Sequence, residues 1–200
     1  MDRDWTGNHK SAFVTVGAAG HGLGEREAND FYATDPSAID LLVSEGVVQI
    51  ASDIWEPACG MGHLSERLIQ YGYNVRSTDL IDRGYGTGGI DFLKCNDHWN
   101  GDILTNPPYK YALDFTKHAL DLIDDGRRVF MFLKLSFLES KIRRPFFATL
   151  QLEKVCVFSD RIACVKGGDF ASPASRSAIS FAWFIFKKGY GKYPEIRWLY

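Results

Sequence analysis

The sequence predicts an open α/β sheet, mostly parallel, with helices on both faces. Short apolar runs (Asp53–Glu56, Asn74–Asp79, Asp102–Thr105, Val129–Leu133) alternate with segments of helical periodicity. Val129-Phe130-Met131-Phe132-Leu133 is apolar at every position, as a strand buried on both faces should be. Glu56, Asp79, Asp91 and Asn106 all fall at predicted strand ends, where sheets of this kind bind their ligands.

With 200 residues, 46% of them hydrophobic, the chain can build one domain around a full core. It has no apolar run of about 18 residues, so no membrane span or membrane partner is expected. Its start lacks the apolar core of a signal peptide, and Cys59, Cys95, Cys156 and Cys164 lie far apart. Reduced thiols in a cytoplasmic protein are therefore expected. Neither the cysteines nor His9, His21, His63, His98 and His118 show metal-ligand spacing, so no metal is expected. The net charge of −2 hides an asymmetry. Met1–Pro108 carries 7 Lys and Arg against 16 Asp and Glu (−9), and Tyr109–Tyr200 carries 16 against 9 (+7). A basic second half points to a polyanionic partner there.

The elements follow in order. Residues 1–29 are polar and glycine-rich and read as a flexible N-terminal arm; residues 30–200 read as the single domain. Asp35 and Pro36 suit the cap and first position of a helix carrying Ile39, Leu42 and Val43, ended by Gly46. The strand Asp53–Glu56 leads through Pro57-Ala58-Cys59-Gly60-Met61-Gly62 into a helix with Leu64, Leu68 and Ile69 inward. The next strand ends at Asp79, 19 residues past Gly60, and a glycine-rich loop and Ile90-Asp91-Phe92-Leu93 follow. After Asp102–Thr105 come an amphipathic helix over Lys110–Ile123, the strand Val129–Leu133 and a helix over about 138–150, delayed or kinked by Pro145. Two last strands, Lys154–Phe158 and Ala178–Phe186, flank a basic loop over Arg161–Ser177. Trp183, Phe184 and Phe186 read as core.

Two stretches carry chemistry. Pro107 and Pro108 have no amide hydrogen, so the strand must stop and present the Asn106 side chain, a backbone carbonyl and the Tyr109 ring in a stiff turn. The glycine turn lets a ligand approach the backbone, but it lacks the spacing of a dinucleotide fingerprint and the lysine of a P-loop. Glu56 would repel a phosphate and suits an ammonium. Asp79 can accept from ribose hydroxyls, and Asp91 with Phe92 could grip the edge and face of an adenine. Amino acid, ribose and adenine together describe S-adenosylmethionine.

Phe31-Tyr32-Ala33-Thr34-Asp35-Pro36, Glu56–Gly62, Thr78-Asp79-Leu80, Asp91-Phe92 and Asn106-Pro107-Pro108-Tyr109 resemble, in order, the motifs of S-adenosylmethionine-dependent amino-methyltransferases. Among these the sequence is most similar to the DNA N6-adenine methyltransferases, including small phage-encoded members. The resemblance runs from about Phe31 to Phe186; Asp35, intervening before Pro36, departs from the pattern. It implies a Rossmann-like, seven-stranded, mostly parallel sheet of class I methyltransferase type with an antiparallel last hairpin strand. It implies S-adenosyl-L-methionine as cofactor, held by Tyr32, Thr34, Glu56, Ala58, Cys59, Gly60, Asp79, Leu80, Asp91, Phe92 and Asn106. It also implies substrate chemistry at Asn106, Pro107, Pro108 and Tyr109, and a place in the cytoplasm of a bacterial or phage-infected cell.

The expected partner is nucleic acid, foremost DNA. Lys134, Arg143, Arg144, Arg161, Lys166 and Arg176, with Lys187 and Lys188, are candidate phosphate contacts, and the loops at about 136–150 and 160–177 are candidate recognition segments. About 90 residues follow Tyr109 and must also complete the sheet. Weak sequence reading, or help from a partner chain such as a second copy, is therefore expected. An RNA base, a protein glutamine amide and a catalytically silent nucleic-acid-binding module are the alternatives.

Overall fold

The structure, a computed structural model, describes residues 32–166 and 179–200. The expected arm at 1–29, Arg176 and most of the 160–177 loop lie outside the described residues. Among the described residues there are nine strands: β1 (Tyr32–Thr34), β2 (Asp53–Glu56), β3 (Asn74–Ser77), β4 (Asp102–Thr105), β5 (Arg128–Lys134), β6 (Leu152–Phe158), β7 (Cys164–Lys166), β8 (Phe181–Lys187) and β9 (Glu195–Leu199). The helices are α1 (Ser37–Ser44), α2 (His63–Gln70), α3 (Ala112–Leu122) and the single turn α4 (Arg144–Phe147).

Seven strands form one sheet in the order β3-β2-β4-β5-β8-β6-β9. β5 sits at its centre and shows why the chain folds in layers. Its side chains alternate with a period of two. Val129, Met131 and Leu133 pack with Phe115 and Ala119 of α3 on one face, while Phe130 and Phe132 pack with Ile39, Leu42, Leu64 and Leu68 of α1 and α2 on the other. These five β5 side chains are buried, as are Trp183, Phe184 and Phe186 opposite them on β8. Trp183 Nε1 donates to the Ala38 carbonyl at 2.9 Å and so ties α1 to the sheet.

β3, β2, β4 and β5 are mutually parallel, whereas β8 runs antiparallel to both β5 and β6. The chain leaves β2 toward β3 on one side and returns to β4 on the other. The strand order therefore reverses between β2 and β4, and their carboxyl ends, at Glu56 and Thr105, flank the crevice where such sheets take ligands.

Three expectations are corrected. The antiparallel strand predicted over 178–186 is present as β8 but is not the last: β9 follows and pairs in parallel with β6 at the sheet edge. Four of its five residues are exposed, so it lacks the apolar pattern of a buried strand. The helix expected over 138–150 is only α4, because Pro145 is tolerated in a first helical turn and the segment before it folds as turns. Asp91 does not end a strand; it caps a 3-10 turn over Phe92–Lys94, accepting from the Leu93 amide at 3.2 Å.

Candidate active site

β4 stops at Thr105, and the two prolines turn the chain into a 3-10 turn over Tyr109–Tyr111 that runs on into α3. At the bend, Asn106 Nδ2 donates to the Tyr32 carbonyl at 3.1 Å and to Thr34 Oγ1 at 2.9 Å. A carbonyl only accepts, so this pairing fixes which way round the amide lies. Asn106 Oδ1 is left buried with no hydrogen-bond partner among the described residues. An unpaired buried acceptor costs about 1–3 kcal/mol.

The residues that hold Asn106 come from a separate two-stranded sheet. β1 and β7 pair antiparallel, with Thr34 opposite Cys164. Cys164 Sγ lies 3.8 Å from Asn106 Nδ2 and 3.5 Å from Tyr109 Oη. Burial pushes both the Cys164 thiol and the Tyr109 phenol above their ordinary pKa values, so both stay neutral at neutral pH. The Tyr109 ring stacks on Phe181, with centroids 5.9 Å apart, and Lys134 Nζ lies 4.9 Å from the Tyr109 centroid. Beside them opens a cavity of about 100 Å³ lined by Tyr109, Lys134, Phe137 and Arg143 among others. Pro107 is buried and Pro108 exposed.

The glycine turn closes the other side of the crevice. Gly60 and Gly62 take φ of +57° and +87°, a left-handed backbone that other residues adopt only with strain. Gly60 N donates to Asp79 Oδ2 and Ile81 N to Asp79 Oδ1, each at 2.8 Å. The half-buried Asp79 carboxylate is thus held by two amides with a lone pair on each oxygen to spare. Leu80 beside it is 55% exposed. Ala58 is half-buried, while Cys59 is buried with its amide on the Thr78 carbonyl at 3.0 Å.

Two residues expected to touch a ligand directly face inward. The buried Glu56 carboxyl accepts from the Ser65 hydroxyl in the first turn of α2, and Ser65 Oγ lies 2.6 Å from Ser77 Oγ. Burial raises its pKa to about 8. Glu56 therefore braces the turn from beneath. Phe92 is 2% exposed, its ring packed against Trp55, Phe115 and His118 at 5.0–5.2 Å, so it offers no face to an adenine. Asp91 is paired with Lys94 at 2.8 Å.

The basic candidates separate. Lys134 adjoins Tyr109, and Arg144 is exposed on α4. Arg143 is committed internally: Nε donates to the Phe137 carbonyl at 2.6 Å and Nη2 to those of Ser136 and Glu139 at 3.0 Å. Arg161 is exposed and Lys166 lies on β7. Lys187 and Lys188 are at the wrong end of the sheet, because antiparallel β8 finishes beside Arg128, where β5 begins. Lys188 Nζ instead donates to the Ile123 carbonyl at 2.6 Å, just past the end of α3. Sequence reasoning missed Cys164, Ser65 and Ser77. Cys164 reaches the site through a strand pairing across 130 residues, for which one sequence carries no signal.

No protein-family model and no curated protein matches the chain. Solved structures do. One, described as "a putative class I S-adenosylmethionine-dependent methyltransferase" from Listeria monocytogenes, matches with TM-score 0.55 at 14% identity over 94% of this chain and 71% of that one. The chain has that fold. The modification subunit of "a putative type I restriction enzyme" from Vibrio vulnificus matches at TM-score 0.58 and 13% identity, over 92% of this chain but only 48% of the subunit. "A putative RNA methyltransferase" from Pyrococcus horikoshii matches at 0.52 and 16%, over 76% and 83%.

Proposed function

We propose that this protein transfers a methyl group from S-adenosyl-L-methionine to the exocyclic N6 amino group of adenine in DNA. The observation that carries the reading is the Asn106 amide, locked by Tyr32 and Thr34 with its buried Oδ1 unpaired. An amine conjugated to a purine is a poor nucleophile because its lone pair is delocalised. Asn106 Oδ1 and the Pro107 carbonyl accept its two hydrogens, draw the nitrogen toward tetrahedral geometry and free that lone pair. Tyr109 supplies a stacking surface for the base, an interaction worth about 1–3 kcal/mol. The turn's stiffness means these groups need little reorganisation during reaction.

The residues around the glycine turn fit the cofactor. Gly60 and Gly62 keep the backbone bare, Asp79 offers two oxygens to ribose hydroxyls, and Leu80 offers an apolar surface to the adenine. When bound, the cofactor supplies an electrophilic methyl group that needs no further activation. Exposed Lys110, next in sequence to Tyr109, and exposed Lys141 and Arg144, on either side of the cavity-lining Arg143 in sequence, suit a phosphate backbone better than a protein glutamine. Structures of the same fold are named as an RNA methyltransferase and as a restriction-enzyme modification subunit, so the test must separate RNA from DNA. The protein is incubated with methyl-labelled cofactor and panels of DNA, RNA and protein, and the labelled product is digested to its units. N6-methyladenine from DNA is expected; label confined to RNA or glutamine would overturn the substrate assignment.

A further inference from the structure

Resting on that reading, we propose that Ile142 is a wedge that fills the gap left in duplex DNA when the target adenine leaves the stack. A base inside a duplex cannot reach Asn106, and extruding it costs stacking that a protein can offset by inserting an apolar side chain between base steps. Ile142 is 83% exposed. Its turn is stiff: the Ile142 amide donates to Ser140 Oγ at 3.1 Å, and the Arg144 amide to the Ser140 carbonyl at 3.2 Å. The neighbouring Arg143 pins the same turn through the carbonyls of Ser136, Phe137 and Glu139, with its guanidinium 4.6 Å from the Phe137 centroid. Arg143 and Phe137 also line the cavity beside Tyr109, so the turn that carries Ile142 borders the proposed base site. Lys141 and Arg144 flank the isoleucine, both exposed, and only Glu139 opposes them between Leu138 and Ala148. A rigid apolar tip between two cations matches the cross-section of a duplex, with bases in the middle and phosphates on either side.

The test uses the DNA whose methylated adenine the panel assay identifies, offered as a duplex, as the same single strand, and as a duplex with the adenine opposite an abasic site. Ile142→Ser should lower kcat/KM on the intact duplex by about tenfold or more, and leave the single strand within about twofold. The abasic duplex should recover most of the loss, and Ile142→Leu should restore the intact duplex. Equal effects on duplex and single strand, or none on either, would overturn the wedge while leaving the methylation reading intact. A wild-type protein active only on single strands would overturn it too, and one that methylates no DNA would overturn both. Cofactor affinity and Tm should not move, since the side chain is in solvent.

Discussion

Thr34 Oγ1 accepts a hydrogen bond from Asn106 Nδ2 at 2.9 Å, joining residues 72 positions apart. The aromatic-Thr segment, read from sequence as a cofactor contact, therefore also aligns the amide proposed to activate the substrate. Thr34→Val removes the acceptor at nearly constant volume. Losing one such bond is worth about 1–1.5 kcal/mol, so kcat should fall about five- to tenfold, with Thr34→Ser restoring it. An unchanged kcat in Thr34→Val would show that Tyr32 alone aligns the amide.

Asn106 and Asp79 should fail differently. Asn106→Ala leaves the glycine turn untouched, so cofactor affinity should persist while turnover falls by about a hundredfold or more. Asp79→Ala removes the acceptor of the Gly60 amide as well as the proposed ribose contact, so affinity should fall. Calorimetry with the cofactor separates the two, and normal binding by Asp79→Ala would remove the ribose assignment.

The parts of this molecule visible from sequence are those with local causes. Strand β5 announces itself by five consecutive apolar residues, and the turn at Asn106 by two prolines that cannot continue a ladder. What stayed hidden depends on facing. Phe92 and Glu56 lie where their motifs place them, yet the ring turns into the core beneath Trp55 and the carboxyl toward Ser65. Strand direction decides a third case, since Lys187 is carried away from Asn106 because β8 runs against β5. β9 was invisible because an edge strand with most of its side chains in water need not alternate.

Glu56 gives the fold a pH signature. Burial raises its pKa from 4.5 to about 8, so between those values the folded state binds a proton that the unfolded state releases. The Glu56 contribution to stability should therefore be greatest below about pH 4.5, fall as pH rises toward about 8, and level off above it. Glu56→Gln keeps an acceptor for Ser65 without the titration, and should flatten Tm against pH between about 5 and 8. Asp102, also raised by burial, acts in the same direction and leaves a residual slope. A variant with the wild-type slope would show that Glu56 is already ionised in the folded protein.

Phe92 supplies a stability test of its own reassignment. Its ring meets Trp55 edge-on at 5.2 Å and Phe115 at 5.0 Å, within the core against α3. Phe92→Ala should cost about 3–5 kcal/mol, enough to unfold a marginal domain, so Phe92→Leu is the useful variant. It should lower Tm by several degrees, yet the fraction still folded should bind the cofactor as the wild type does. A large affinity loss with unchanged Tm would return the ring to the adenine site.

Gly62 sets the last constraint on the turn. Its φ is +87°, and a Cβ there would stand 2.5 Å from the Tyr85 ring. Gly62→Ala meets both penalties, backbone strain of about 1–3 kcal/mol and displacement of the tyrosine. The two are separable because only the second depends on Tyr85. Gly62→Ala should lower Tm by about 4–10 °C, at about 2–4 °C per kcal/mol for a chain of this size. In a Tyr85→Ala background the same substitution should cost less, since the strain remains and the clash is gone. Equal losses in both backgrounds would mean that the ring moves aside freely and backbone conformation alone demands the glycine.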